Sequence, residues 1–275
     1  MSQAATLARV TPAAPTAPGG SRRRVVRSPL LLSSIVSLLL LIVVQDALSR
    51  AAWINPSKFP PAWRVLDELL RVIVSGDLWK PLGATLSTWF LALTASLLIA
   101  LVAGLLIGLN RAIYHGTRAT IEFLRPIPST ALIPLVILSL GANFQGALFL
   151  TCFGTLWQLL PVCVAAVKAT DPVALDVARS LGLSKWQILR AVIIPGMYPY
   201  IKTAIRIGSS AALVLLISME FLAGITGIGK EVSIAYAGSN YPRLYAFVIV
   251  AAILGVLSNV VLAHWARRAP FGETK

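Results

Sequence analysis

Long apolar runs separated by short charged segments set the pattern of this chain. They lie near residues 29–48, 83–109, 119–140, 147–167, 207–224 and 244–265. About 20 helical residues cross a hydrocarbon core of roughly 30 Å, so the pattern predicts six spans. The runs are continuous rather than alternating over ten residues, and backbone polar groups need partners inside lipid, so the spans are expected to be helices and not barrel strands. The fold class expected is an all-α membrane protein of about six transmembrane helices, with its core over 83–268.

Smaller periodicities refine this picture. Over 60–80, Val65, Leu66, Leu69, Leu70 and Ile73 recur at helical spacing, opposite Arg64, Asp67, Glu68, Arg71 and Asp77. That segment predicts an amphipathic helix lying on the outer membrane face. Ala100, Gly104 and Gly108 form a four-residue stripe that lets another helix approach closely, and packing within the same subunit is expected rather than dimerisation. Arg125, Pro126, Pro128 and Pro134 predict a bent third span. Residues 1–28 are expected to be a disordered basic tail, because their Ala, Pro and Thr cannot bury enough apolar surface. Arg22, Arg23, Arg24 and Arg27 before an apolar run resemble a signal sequence; an uncleaved anchor over 29–48 is expected instead.

One polar insert, 171–195, separates the fourth and fifth spans. Asp171 can cap orphan N–H groups and Pro172 suits a first helical position, predicting a helix over 173–181. Gly182 breaks it. Ser184 can cap a second helix over 185–194, which Pro195 and Gly196 disturb or end. The result is an elbow, with Leu181, Leu183, Trp186 and Leu189 as an apolar ridge and Arg179, Lys185 and Arg190 holding it in water.

Charge supplies an orientation. Placing the N-terminus inside puts 17 of the 24 Lys and Arg residues on the cytoplasmic side, the elbow and both termini among them. The net charge of +14 would suit nucleic acid, but the basic residues sit at span ends beside anionic headgroups, so lipid is the expected partner and nucleic acid is not. Cys152 and Cys163 share one span about 16 Å apart, too far for a disulfide, and are expected to be packing residues. His115 and His264 lie far apart and no metal site is expected. No catalytic constellation emerges. The chain has no glycine-rich phosphate loop ending in Gly-Lys-Ser/Thr, so ATP hydrolysis and cofactor binding are not expected of it.

An acid inside an apolar span is costly unless paired, hydrated or neutral, which makes Glu220 a functional candidate. Arg206 shares its helix face about 21 Å away, too far for a direct pair. Two uses of Glu220 stay open: an outer gate bonded to the turn over 224–229, or a structural lock to a neighbouring helix through Ser258 or Asn259.

Residues Asp176, Ala178, Arg179, Gly182, Leu183, Ser184, Lys185, Trp186 and Pro195 follow the spacing of the Glu-Ala-Ala…Gly…Ile-x-Leu-Pro motif in the membrane subunits of ATP-binding-cassette importers. The chain resembles those permeases from about residue 60 to 268, and most of all their nitrate, sulfonate and taurine group. Leu124 to Pro128, Ala131 to Leu138, and Glu220 followed by Gly227-Ile228-Gly229 carry the rest of the likeness. Departures are Asp176-Val177 for Glu-Ala, Ser139-Leu140-Gly141 for Trp-Phe-Gly, and Met219 for the usual Ala.

The resemblance implies a type I importer permease whose elbow is a cytoplasmic coupling helix. It implies a transport subunit of the bacterial inner membrane, working with a second permease copy, two cytoplasmic subunits that bind ATP and Mg, and an external substrate-binding protein. Glu220, Arg125, Arg206 and Met219 are the path or gate candidates. The cargo expected is a small anion such as nitrate, bicarbonate or a sulfonate; an ion-driven secondary transporter and an importer of a neutral vitamin precursor are the alternatives. The first of these predicts inverted repeats, and none is seen.

Overall fold

Five of the six expected spans fall within residues 58–268, which the computed structural model describes. The expected tail over 1–28 and first span over 29–48 lie outside the described residues. Among the described residues four helices are long and apolar enough to cross a membrane, and a helix pair bent at a short break brings the number to five if the pair is one span.

The amphipathic segment forms α1 (Ala62–Ser75), shorter than the 60–80 expected because Pro61 precedes it and Gly76, at φ 89°, ends it in the left-handed region. α1 turns Val65 and Val72 into the protein and leaves Trp63, Leu66, Leu70, Ile73 and Val74 exposed. α2 (Trp79–Leu109) is the first described span. α3 (Arg111–Leu124), capped by the Asn110 side chain, and α4 (Ile133–Leu140), preceded by a 3-10 turn over Ser129–Leu132, lie where the third span is expected. The bend expected there is a break of 78°, since Pro126 and Pro128 remove backbone donors and force the residues before them out of helical geometry.

α5 (Phe144–Lys168) lies between α2 and the later span α8 and packs extensively on both. α6 (Pro172–Ser180) and α7 (Lys185–Ile188) form the elbow. α7 passes through a π turn over Leu189–Ile193 into α8 (Ile194–Ala223), so Pro195 disturbs the helix without ending it. The wider turn lets the N–H of Ile194 bond Leu189 O, and Pro195 then sits in a first turn that does not need its missing donor. The fifth span is therefore one continuous run, Lys185–Ala223, much longer than the 207–224 expected. α9 (Ile228–Ala237) folds back at the far end, and α10 (Tyr241–Arg268) closes the described bundle.

Small residues decide how closely the spans approach. A Cβ on Gly104 would lie 2.6 Å from Cys163 Cβ, and one on Gly108 equally near Val167 Cβ. The Ala100, Gly104, Gly108 stripe thus packs α2 on α5 within the subunit, as expected. Cys163 is fully buried there and both cysteines are free.

Candidate functional site

The elbow is built from local rules, each satisfied. Asp171 Oδ1 accepts the Val173 N–H at 2.9 Å and starts α6. At its end the Leu183 N–H donates to Ala178 O at 3.1 Å and the Gly182 N–H to Arg179 O at 3.0 Å, with Gly182 at φ 71°. This paired arrangement satisfies carbonyls that a helix end leaves open, and it asks for glycine at the left-handed position. Ser184 and Gln187 then form a reciprocal capping box that starts α7. Caps at both ends and a defined turn make the elbow a rigid hook.

Its anchoring to the bundle is apolar. Leu175, Ile188 and Leu189 pack on Ala166, Val167, Ile193 and Met197, and Ala178 is buried at 3% exposure. The opposite side is apolar too, yet faces outward: Val173, Val177, Leu181 and Trp186 are exposed at 66%, 52%, 72% and 66%. The ridge expected from sequence therefore divides. Leu181 and Trp186 belong to the free face, whereas Leu189 turns inward and Leu183 is half-buried. Val177 and Val173, one and two turns before Leu181, complete the free face; their four-residue spacing is the signal for them. Asp176 and Arg179 pair at 3.0 Å on the surface beside this ridge, and Lys185 and Pro195 are exposed. A cleft of about 800 Å³ opens next to it, between Trp186, Arg179 and Lys185 on the elbow and Gly108 and Lys168 at the ends of α2 and α5.

The path candidates do not gather at one point. Arg125 is exposed at the break between α3 and α4, where it lines a cleft of about 230 Å³ with Arg118, Tyr114 and Lys168. Arg206 is exposed on α8 and donates from Nε to Asn259 Oδ1 at 2.7 Å, tying α8 to α10. Met219 is fully buried against Ile133, Val136 and Leu150, so within this subunit it is a core residue of the α4–α5–α8 contact.

Glu220, only 1% exposed, sits at the far end of α8 from the elbow. Its Oε2 accepts the Gly229 N–H at 2.9 Å, and the Thr85 hydroxyl donates to Oε1 at 2.8 Å. Thr85 Oγ1 in turn accepts the Ile228 N–H at 2.9 Å. The turn expected as one partner is thus a real one, and Thr85 on α2 is the second. Ser258 bonds its own helix and Asn259 bonds Arg206, so neither is the partner on the neighbouring helix. Nearby, Arg243 reaches Asp77 at 3.3 Å and Glu231 at 3.2 Å, joining the α1–α2 corner to α9 and α10.

Comparison with known proteins gives this arrangement its place. Residues 96–269 match the family described as "Binding-protein-dependent transport system inner membrane component". The chain is 30% identical to the taurine transport system permease protein TauC of Escherichia coli over 220 residues, covering 78% of this chain and 80% of TauC. It is 26% identical to the nitrate import permease NrtB of Synechocystis, covering 75% and 78%, and 28% identical to the bicarbonate permease CmpB of Synechococcus elongatus, covering 70% and 69%. In three dimensions it superposes on an inward-facing structure of the MetNI methionine ABC transporter with a TM-score of 0.60 at 20% identity, covering 67% of this chain and 92% of that one. An elbow carried on a helical membrane core of that fold, with family-wide likeness over most of the length, identifies the chain: it belongs to the binding-protein-dependent transport inner membrane components and is a permease subunit of an ABC importer.

Proposed function

We propose that this permease carries a small oxoanion, of the sulfonate, nitrate or bicarbonate kind, inward across a bacterial cytoplasmic membrane, and that its elbow receives the stroke of separate ATP-hydrolysing subunits. The observation that carries the second statement is the free apolar ridge of Val173, Val177, Leu181 and Trp186 on a capped hook. An apolar ridge rimmed by Arg179, Asp176 and Lys185 has the make-up of a docking surface, whose apolar centre excludes water while its charged rim sets register. The charge count supports a cytoplasmic elbow, with α1 on the outer face presenting Trp63, Leu66 and Leu70 to lipid.

In the cycle we infer, two copies of the chain face each other around a central path. ATP and Mg bound by the partner subunits close them, and the elbows move with them. The spans then exchange inward-open for outward-open, and an external binding protein releases its cargo into the path. The chain itself holds no nucleotide. The oxoanion assignment is supported by the taurine, nitrate and bicarbonate relatives and by Arg125 and Arg206, both exposed. Uptake of labelled taurine, nitrate and bicarbonate by cells carrying the whole system tests it. At least one of these solutes is expected to enter and to be competed by analogues that keep the sulfonate, nitrate or bicarbonate group; competition only by solutes without an oxoanion group contradicts the assignment.

A further inference from the structure

The Glu220 site solves a problem that α9 creates. The first N–H groups of a helix have no partner inside it. At the start of α9, the N–H groups of Ile228 and Gly229 are buried between α2 and α8, away from water. Glu220 and Thr85 meet them: Gly229 donates directly to the carboxylate, and Ile228 donates to a Thr85 hydroxyl that passes its own hydrogen on to the same carboxylate. Glu220 on α8 and Thr85 on α2, 135 residues apart, therefore converge on the start of α9. Every partner offers a hydrogen, which suits a carboxylate that only accepts.

The backbone is shaped around that carboxylate. Gly227 has φ 164°, extended geometry open to any residue, so its conformation does not demand glycine. Space does: a Cβ on Gly227 would fall on the Glu220 carboxyl carbon and oxygens. A Cβ on Gly229 would strike Ile217 O and approach Glu220 Cβ to 2.8 Å. Glycine at 227 is thus the complement of glutamate at 220.

We propose that Glu220 is a positioning residue, the bolt of a latch that fixes the start of α9 to α2 and α8, so that these elements stay joined throughout the transport cycle and the outer mouth opens elsewhere. The second half rests on the permease reading above; the first half does not. With the latch shut, α9 caps one end of its own subunit as a fixed part of the wall. Opening then falls to surfaces between subunits rather than to α9 swinging free.

A thermal cycle on the purified chain tests the bolt. Gly227→Ala is expected to lower the unfolding temperature strongly in the wild-type background and much less beside Glu220→Ala, whose shortened side chain leaves the added methyl room. Equal losses in both backgrounds would overturn the steric fit. Thr85→Ser retains the hydroxyl and Thr85→Val retains only the shape. Deuterium uptake over 227–231 is expected to rise by about tenfold in Thr85→Val and to stay near wild type in Thr85→Ser. A rise in both, or in neither, contradicts the latch. For the cycle, the same segment is followed in the assembled transporter without nucleotide and trapped with ATP and vanadate. Unchanged protection is expected, while deprotection on trapping would show the latch opening and refute the proposal. Failure of the wild-type chain to transport on ATP would refute the permease reading instead, with the thermal and exchange results still deciding the bolt.

Discussion

Leu181→Asp is expected to abolish ATP-driven uptake while leaving the permease folded and in the membrane. Leu181 is 72% exposed at the centre of the elbow's free ridge, so a carboxylate there meets water in the isolated subunit and costs the fold little. Docked against an apolar groove it would be desolvated without a partner, a penalty of several kcal/mol. Trp186→Ala removes the largest side chain of the ridge. Buried aromatic anchors of this kind contribute about 2 kcal/mol or more to an interface, about a thirtyfold loss of affinity. Co-purification with the ATP-hydrolysing subunits, read beside membrane yield, checks both. Full assembly and coupled hydrolysis in Leu181→Asp would mean that the ridge docks on nothing.

Gly104→Val should fail earlier, at folding. The Cβ alone would stand 2.6 Å from Cys163 Cβ and 3.1 Å from its carbonyl carbon, and a backbone neighbour cannot rotate aside. Valine adds two methyls to that clash. Overpacking a tight core costs about 1–3 kcal/mol, and here the α2–α5 contact at the centre of the bundle must widen to relieve it. Yield of monodisperse protein in mild detergent measures this: a large drop is expected for Gly104→Val, and none for valine at Gly116, where a Cβ meets open space.

How much of this was legible beforehand follows the range of the interactions. The spans were readable because lipid imposes one long apolar helix on each crossing, and the elbow because its caps involve residues a few positions apart. Asp171, Gly182 and Ser184 each act where the sequence placed them. The stripe at Gly104 was readable as a close contact, although only the fold identified Cys163 as the neighbour. Orientation was less accessible. Leu189 and Trp186 are both apolar residues of the elbow, yet one packs on Met197 and the other faces out, because the continuous run into α8 fixes the roll of α7. Pro195 could disturb or end the helix by its residue type alone, and the π turn before it settles this as a disturbance within one continuous run.

Glu220 shows the same limit. Its cost in an apolar span was evident, and one partner, the turn that follows, lies close in sequence. The other, Thr85, is 135 residues away on a helix where Ser87, Thr88 and Ser96 bond their own backbone. Sequence offers no local mark for such a pair. Gly227 likewise resembles an ordinary turn glycine until the carboxylate beneath it is seen.

The source of energy for transport separates an ATP-driven permease from an ion-driven carrier. The permease, its ATP-hydrolysing partners and the binding protein are to be reconstituted in liposomes, and accumulation of the labelled anion followed with ATP on the elbow side and with imposed proton or sodium gradients. Uptake is expected with ATP and binding protein together and to vanish with a non-hydrolysable analogue or with Leu181→Asp. Accumulation driven by an ion gradient in the absence of ATP would contradict the account.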